Sequence, residues 1–263
     1  MLQYFRILPN IESERPSLET VFNRYEKKYL LTPTKMNNIL SVLKTRLSLD
    51  PYSQDGASYP IHNIYFDTSD YHIIRQSLSR KTYREKFRIR FYDYPLKPDS
   101  IVFLEIKKKL AGRGNKRRLP LHYKDAYRYM QTREKPTLLH PYDEQIFKEI
   151  DYFLSQYKVA PVTFIRYRRI ALSDQHSDLR ITFDLDIQYA KKASFENDME
   201  TYALPQSKDT IIMEIKSLYN YPLWLSNLLT ENQVYASRFS KYGKTYELLH
   251  EGGVLDEHTI SQP

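Results

Sequence analysis

The chain has 263 residues, 40 Lys and Arg against 32 Asp and Glu for a net charge of +8, with 24 Tyr, 6 Gly and no Cys. Without cysteine there are no disulfides, thiolate metal sites or thiol nucleophile, and the expected setting is the reducing cytoplasm. Few glycines argue against glycine-rich nucleotide loops, and no apolar run approaches the roughly 20 residues that span a bilayer.

Residues 1–20 read as a polar N-terminal leader and residues 21–250 as a single domain. Residues 22–31 alternate, with Arg24, Glu26 and Lys28 on one face and Tyr25, Tyr29 and Leu31 on the other, which predicts a strand. Thr32 and Pro33 supply a cap and a first helical residue. Met36, Ile39, Leu40, Leu43 and Leu47 follow at helical spacing, predicting a helix to about Leu49. Residues 50–60 read as a loop. Strand-like runs follow at 61–66, 84–94, 101–110 and 113–121, then helices at 124–130 and 143–157. Strands return at 161–172, 179–189 and 211–217. Pro222 opens a short helix holding Trp224, residues 235–249 form a closing helix, and the tail 251–263 frays. The order lacks regular strand–helix–strand alternation, so the expected fold is α+β on a largely antiparallel sheet.

The positive charge is concentrated. Residues 84–118 hold twelve Lys and Arg against four acids, which is the net charge of the whole chain. Much of it alternates, as Lys86-x-Arg88-x-Arg90 and Glu105-x-Lys107-x-Lys109, with Phe87, Ile89, Phe91, Leu104 and Ile106 between. Successive side chains of a strand point to opposite faces, so one face is cationic and the other apolar. Similar polar rows recur as Tyr167/Arg169, Arg180/Thr182/Asp184/Asp186 and Glu214/Lys216. For a single strand the plain alternative is a solvated charged face. Six such strands, with helices to cover the apolar outside, favour a closed barrel with a polar interior. Buried cations need anions, and the few carboxylates cannot balance them, so a polyanionic ligand is expected.

Eight motifs in order carry a family resemblance over roughly residues 20–250. They are Arg24-Tyr25-Glu26-Lys27-Lys28-Tyr29, Tyr65-Phe66-Asp67-Thr68, Arg88-x-Arg90, Glu105-x-Lys107, Tyr167-x-Arg169, Arg180-Ile181-Thr182-Phe183-Asp184, Glu214-x-Lys216 and Ser237-Arg238-Phe239-Ser240-Lys241-Tyr242. Together the chain resembles the VTC domain of polyphosphate polymerases, within the CYTH-like triphosphate tunnel superfamily. The resemblance implies a tunnel of antiparallel strands, helices outside and a C-terminal helix at the mouth. The tunnel would bind a triphosphate and a metal ion, Mn²⁺ or Mg²⁺.

By motif position Lys28, Arg88, Arg90, Lys107, Arg169 and Arg180 would hold phosphates, with Ser240 and Lys241 at the mouth. Arg24, Lys109, Lys216 and Arg238 would add substrate contacts, Arg238 sharing a helix face with Lys241. Lys116 reads as the next strand's contribution, with Arg117 or Arg118 in its place if the register slips. Tyr167 is the expected hydroxyl donor to phosphate. Glu214 is the expected metal ligand, with Glu26 and Glu105 either helping it or salt-bridged to tunnel cations. Asp184 and Asp186 are expected to pair with neighbouring cations. The implied activity is ATP-driven polyphosphate synthesis. The alternatives are a triphosphatase or short-chain polyphosphatase, or a non-catalytic module that binds polyphosphate or nucleic acid. Nucleic acid is not the expected partner, and any membrane partner would be a separate chain, as in a stand-alone bacterial type.

Overall fold

The computed structural model describes residues 25–79, 81–111, 113–195, 199–205, 209–218 and 220–250. Arg24, the leader 1–20 and the tail 251–263 lie outside the described residues. In chain order the elements begin with β1 (Tyr25–Leu31), α1 (Pro33–Lys44), β2 (Ser48–Leu49), a 3₁₀ turn (Pro51–Gly56), β3 (Tyr59–Asp67) and α2 (His72–Leu78). Then come β4 (Tyr83–Phe91), β5 (Ile101–Leu110), β6 (Arg113–His122), α3 (Tyr123–Thr132), α4 (Asp143–Gln156) and β7 (Ala160–Ser173). The last are β8 (Arg180–Ala190), β9 (Tyr202–Ala203), β10 (Ile211–Ser217), α5 (Leu223–Glu231), β11 (Ala236–Ser237) and α6 (Lys241–His250).

The eleven strands among the described residues join one sheet in the order β11-β1-β10-β8-β7-β3-β4-β5-β6, with β2 beside β7 and β9 beside β8. Each pairing is antiparallel. The fold is the α+β arrangement expected. It is a curled sheet and not a closed barrel, because β6 and β11 share no ladder among the described residues.

The period-2 pattern sorts the sheet into two faces. On the convex face α1 and α5 bury Tyr29, Leu31, Ile181, Phe183, Met213 and Ile215 in one cluster. Helices α3 and α4 cover Phe87, Ile89, Phe91, Leu104, Ile106 and Leu119 in another. The concave face is divided. At one end Ile61, Tyr65, Ile165, Tyr167 and Ile212 pack under Phe239, Tyr242 and Tyr246 around α6. The rest is mainly charged, with a few neutral side chains such as Asn63, Thr182 and Phe103 among the ions.

Helix α1 begins as its residues dictate, with Thr32 Oγ1 accepting from the Lys35 amide at 3.3 Å and Pro33 at its first turn. It ends at Lys44, short of Leu49. The Leu47 amide still bonds the Leu43 carbonyl and its side chain stays buried, so helical periodicity outlasts the helix. Helix α2 falls where no element is expected. Its first amides are held by Asp67, whose carboxylate accepts from the Ile73 and Ile74 amides at 2.9 Å each. Tyr242 of α6 donates to the same carboxylate at 2.7 Å.

The closing helix is the main correction. It starts at Lys241, because Ala236 and Ser237 pair with Tyr29 and Lys28 of β1 instead. Ser240 then takes the cap position, its Oγ accepting from the Gly243 amide at 3.1 Å. Arg238 therefore lies before the helix, exposed, and shares no helix face with Lys241.

Candidate functional site

The charged part of the concave wall is organised by three groups of carboxylates. The first is Glu105 on β5, which faces Arg88 of β4 on one side and Arg118 of β6 on the other. Only 2% exposed, it pairs with Arg88 at 2.6 Å, Lys116 and Arg118 at 2.8 Å each and Arg90 at 3.8 Å. Burial alone would raise its carboxyl, but these four cations hold it well below the usual carboxylate range. These contacts are those of a salt-bridge centre, one of the two roles the sequence leaves open for Glu105.

The second is Asp184 on β8, at 1% exposure. Arg169 of β7, its cross-strand partner, donates from Nε at 2.6 Å and Nη2 at 2.8 Å. Lys241, the first residue of α6, takes the same carboxylate and lies 4.4 Å from the Tyr167 ring. Burial opposes ionisation, yet Arg169 and Lys241 bring Asp184 down to about 2. This is the pairing with neighbouring cations expected of Asp184.

The third is Glu26 with Glu214, on the adjacent strands β1 and β10. Lys28 lies 3.7 Å from Glu26 and 3.8 Å from Glu214, while Lys107 reaches Glu26 at 3.0 Å and Lys216 reaches Glu214 at 2.9 Å. Burial would raise Glu214, but Lys216, Lys28, Arg169 and Lys107 pull it well below its usual range. Glu26 is also lowered against burial, by Lys107, although the Glu214 charge pushes it the other way.

Of the residues expected from sequence, Lys28, Arg88, Arg90, Lys107, Lys116, Tyr167, Arg169, Lys216, Ser240, Lys241, Glu26, Glu105 and Glu214 converge on this wall. Arg180 faces the same side, half-exposed and paired to Asp50 at 3.0 Å. Lys109 lies at the far end of β5, opposite Gly114. Arg238 stays outside the cluster. The Tyr167 hydroxyl accepts from Arg90 Nη2 at 3.2 Å, which leaves its proton free to donate.

Four further residues belong to the wall: Asn63, which nothing in the sequence singles out, Tyr65 and Lys86, named in motifs without a site role, and Arg118, named only as an alternative to Lys116. Asn63 accepts from Arg90 Nε at 3.0 Å, and Tyr65 accepts from Arg88 Nη1 at 3.0 Å. Only the β3–β4 register reveals them. Arg118 joins Lys116 on the inner side, while Arg117 points out to Glu149 of α4 at 3.1 Å. Lys86 is half-buried, donates to Ser240 Oγ at 3.1 Å, and was signalled by its i, i+2 spacing from Arg88.

No group of three or more His, Cys, Asp or Glu among the described residues forms a ready-made metal cage. Glu26 and Glu214 still suit a hard divalent ion, which takes one or two carboxylates and completes its shell with phosphate oxygens and water. Thr182 stands directly across from Glu214, and its buried Oγ1 has no hydrogen-bond partner among the described residues. That oxygen is available to an ion or a phosphate.

A curled antiparallel sheet whose concave wall carries Lys and Arg paired around a few carboxylates has the chemistry to take an anion. The particular family follows from comparison: the VTC domain model matches residues 23–250, and the chain belongs to that family. No curated protein matches the chain. Solved structures similar to it include a Bacillus halodurans protein provisionally assigned as an adenylate cyclase. That one is 14% identical, with 83% of this chain and 95% of that one covered and a TM-score of 0.47. The PH1819 protein of Pyrococcus horikoshii is 13% identical, with coverage of 85% and 99% and a TM-score of 0.43. Family and wall together suggest polyphosphate-related or triphosphate chemistry, by a phosphotransferase or a hydrolase. Enzymes of this fold generally depend on a divalent metal. No helix among the described residues is long and apolar enough to cross a membrane.

Proposed function

We propose that the chain is a metal-dependent polyphosphate polymerase. A terminal phosphate oxygen of the growing chain attacks the γ-phosphorus of ATP, the β–γ bridging bond breaks, and ADP leaves with the electron pair. The supporting observation is the reach of the cationic wall. Arg84 to Arg90 on β4 alone spans about 20 Å at roughly 3.3 Å per residue, longer than the triphosphate of one nucleotide. A polymer fits that length.

Phosphoryl transfer asks a protein mainly for positioning and charge stabilisation. Arg88, Arg90, Lys107, Arg169 and Arg180 neutralise substrate and transition-state charge, Arg through its planar fork and Lys as a point charge. Lys28 and Lys241 hold the terminal or product phosphates, and the Tyr167 hydroxyl donates to one of them. Glu105 and Asp184 hold the guanidinium groups in place before substrate arrives. A bound Mn²⁺ or Mg²⁺, held by Glu214 with Glu26 beside it, supplies further neutralisation of phosphate oxygens.

The test is incubation with ATP and Mn²⁺ and a gel stained for polyphosphate. A ladder lost in Glu214→Ala supports polymerase chemistry and the metal role together. Orthophosphate without a ladder overturns this reading in favour of a hydrolase, and neither product leaves a binding module.

A further inference from the structure

The cations of the wall are not equivalent. Lys28, Arg88, Lys107, Arg169 and Lys241 each have a carboxylate within ion-pair distance. Lys86 has none among the described residues. Its hydrogen bond goes to the neutral hydroxyl of Ser240, at 3.1 Å. The charged groups that face it are Lys28 of β1, Lys107 of β5, and Arg84 and Arg88 of its own strand. A half-buried ammonium among four cations, with only a hydroxyl to accept from it, is a place on the wall where an arriving anion gains.

We propose that Lys86 is a phosphate-binding residue of this wall, parked on Ser240 until substrate arrives, and that it makes substrate binding depend on pH. The proposal rests on the reading of the concave wall as a phosphate-binding surface. Burial, and then Lys28, Lys107, Arg84 and Arg88, push the free ammonium down to about 7. A phosphate oxygen beside Nζ restores the charged form, so binding above neutral pH takes up a proton. The sign follows by linkage: affinity is highest below about 7, where Lys86 is already charged, and declines as pH rises. Ser240 caps α6, so the exchange of Lys86 from hydroxyl to phosphate takes place at the start of that helix.

The experiment is calorimetric titration with inorganic tripolyphosphate, in two buffers of different ionisation enthalpy, between pH 6.5 and 8.5. Wild type, Lys86→Arg and Lys86→Met are compared, so that the ligand's own ionisation is common to all three. Wild type should take up more protons than either variant, with a difference on the order of one proton at the upper end. Lys86→Met should bind about 10- to 100-fold more weakly at pH 6.5, the gap narrowing as pH rises. Lys86→Arg should hold its affinity across the range. Removing a charge from among four like charges leaves the fold intact, so Lys86→Met should melt no lower than wild type. Proton counts unchanged in both variants, or undiminished binding by Lys86→Met at pH 6.5, would overturn the role of Lys86 alone. If wild type does not bind tripolyphosphate, the phosphate-wall reading falls and this proposal falls with it.

Discussion

Lys107 of β5 and Glu26 of β1 meet at 3.0 Å although β10, β8, β7, β3 and β4 stand between their strands in the sheet. Only a sheet that curls until its two ends face each other can bring them together. The contact is half-exposed on the lysine side, and exposed ion pairs are weak. It orders the wall without binding it shut.

Lys107→Met should therefore cost little stability, within about 1 kcal/mol. It should raise the KM for ATP or polyphosphate much more than it moves the melting temperature. A melting curve beside a substrate titration checks this, and a large loss of stability with an unchanged KM would contradict it.

Asp184→Asn should be costly, since Arg169 and Lys241 lose their shared anion in a buried setting; the expected loss is about 3 kcal/mol or more. Added tripolyphosphate should recover part of the melting temperature by supplying the missing charge. The pH dependence has a definite sign. Asp184 sits at about 2 in the fold against 3.8 ordinarily, so its contribution is present above 3.8 and is lost as pH falls toward about 2. Acid denaturation followed by circular dichroism should show wild type and variant converging over that window.

Glu105→Gln should destabilise by a similar amount, about 3 kcal/mol, by leaving Arg88, Arg90, Lys116 and Arg118 to repel one another. The folded carboxyl lies well below 4.5, so the deficit relative to wild type should be full above 4.5 and shrink as pH drops below it. Urea unfolding at pH 7 and pH 3 measures the difference.

The contacts of Glu105 also separate it from Glu214. Mn²⁺ binding in the presence of ATP, followed by electron paramagnetic resonance, should be lost in Glu214→Ala and retained in Glu105→Gln. Loss in both variants would give Glu105 a metal role that its four cations argue against.

Much of this wall is legible in the chain because period-2 alternation and burial report the same thing. Phe87, Ile89 and Phe91 are fully packed on the convex side, which fixes Arg88 and Arg90 on the concave one. Strand β5 runs over 101–110, as the alternation predicts. What the sequence hides is set by pairing. Ala236 and Ser237 look helical until the open edge of β1 claims them. Helix α2 is short, with only Ile73 and Ile74 buried, and depends on Asp67, whose carboxylate a tyrosine from α6 also holds. The choice among Lys116, Arg117 and Arg118 rests on the β5–β6 register, which turns the first and third inward and the second toward Glu149. The role of Glu105 is likewise a matter of which cations the register sets beside it.

Among the described residues no backbone ladder joins the two outer strands, β6 and β11, and what meets at Glu26 and Lys107, and at Lys86 and Ser240, is side chain. Such a wall is a clip and not a pipe. A long polymer can be laid in from its flank, with no free end to feed through, once side-chain contacts such as Lys107–Glu26 and Lys86–Ser240 give way. We expect a large cyclic polyphosphate to be retained by this protein; a pipe would turn it away.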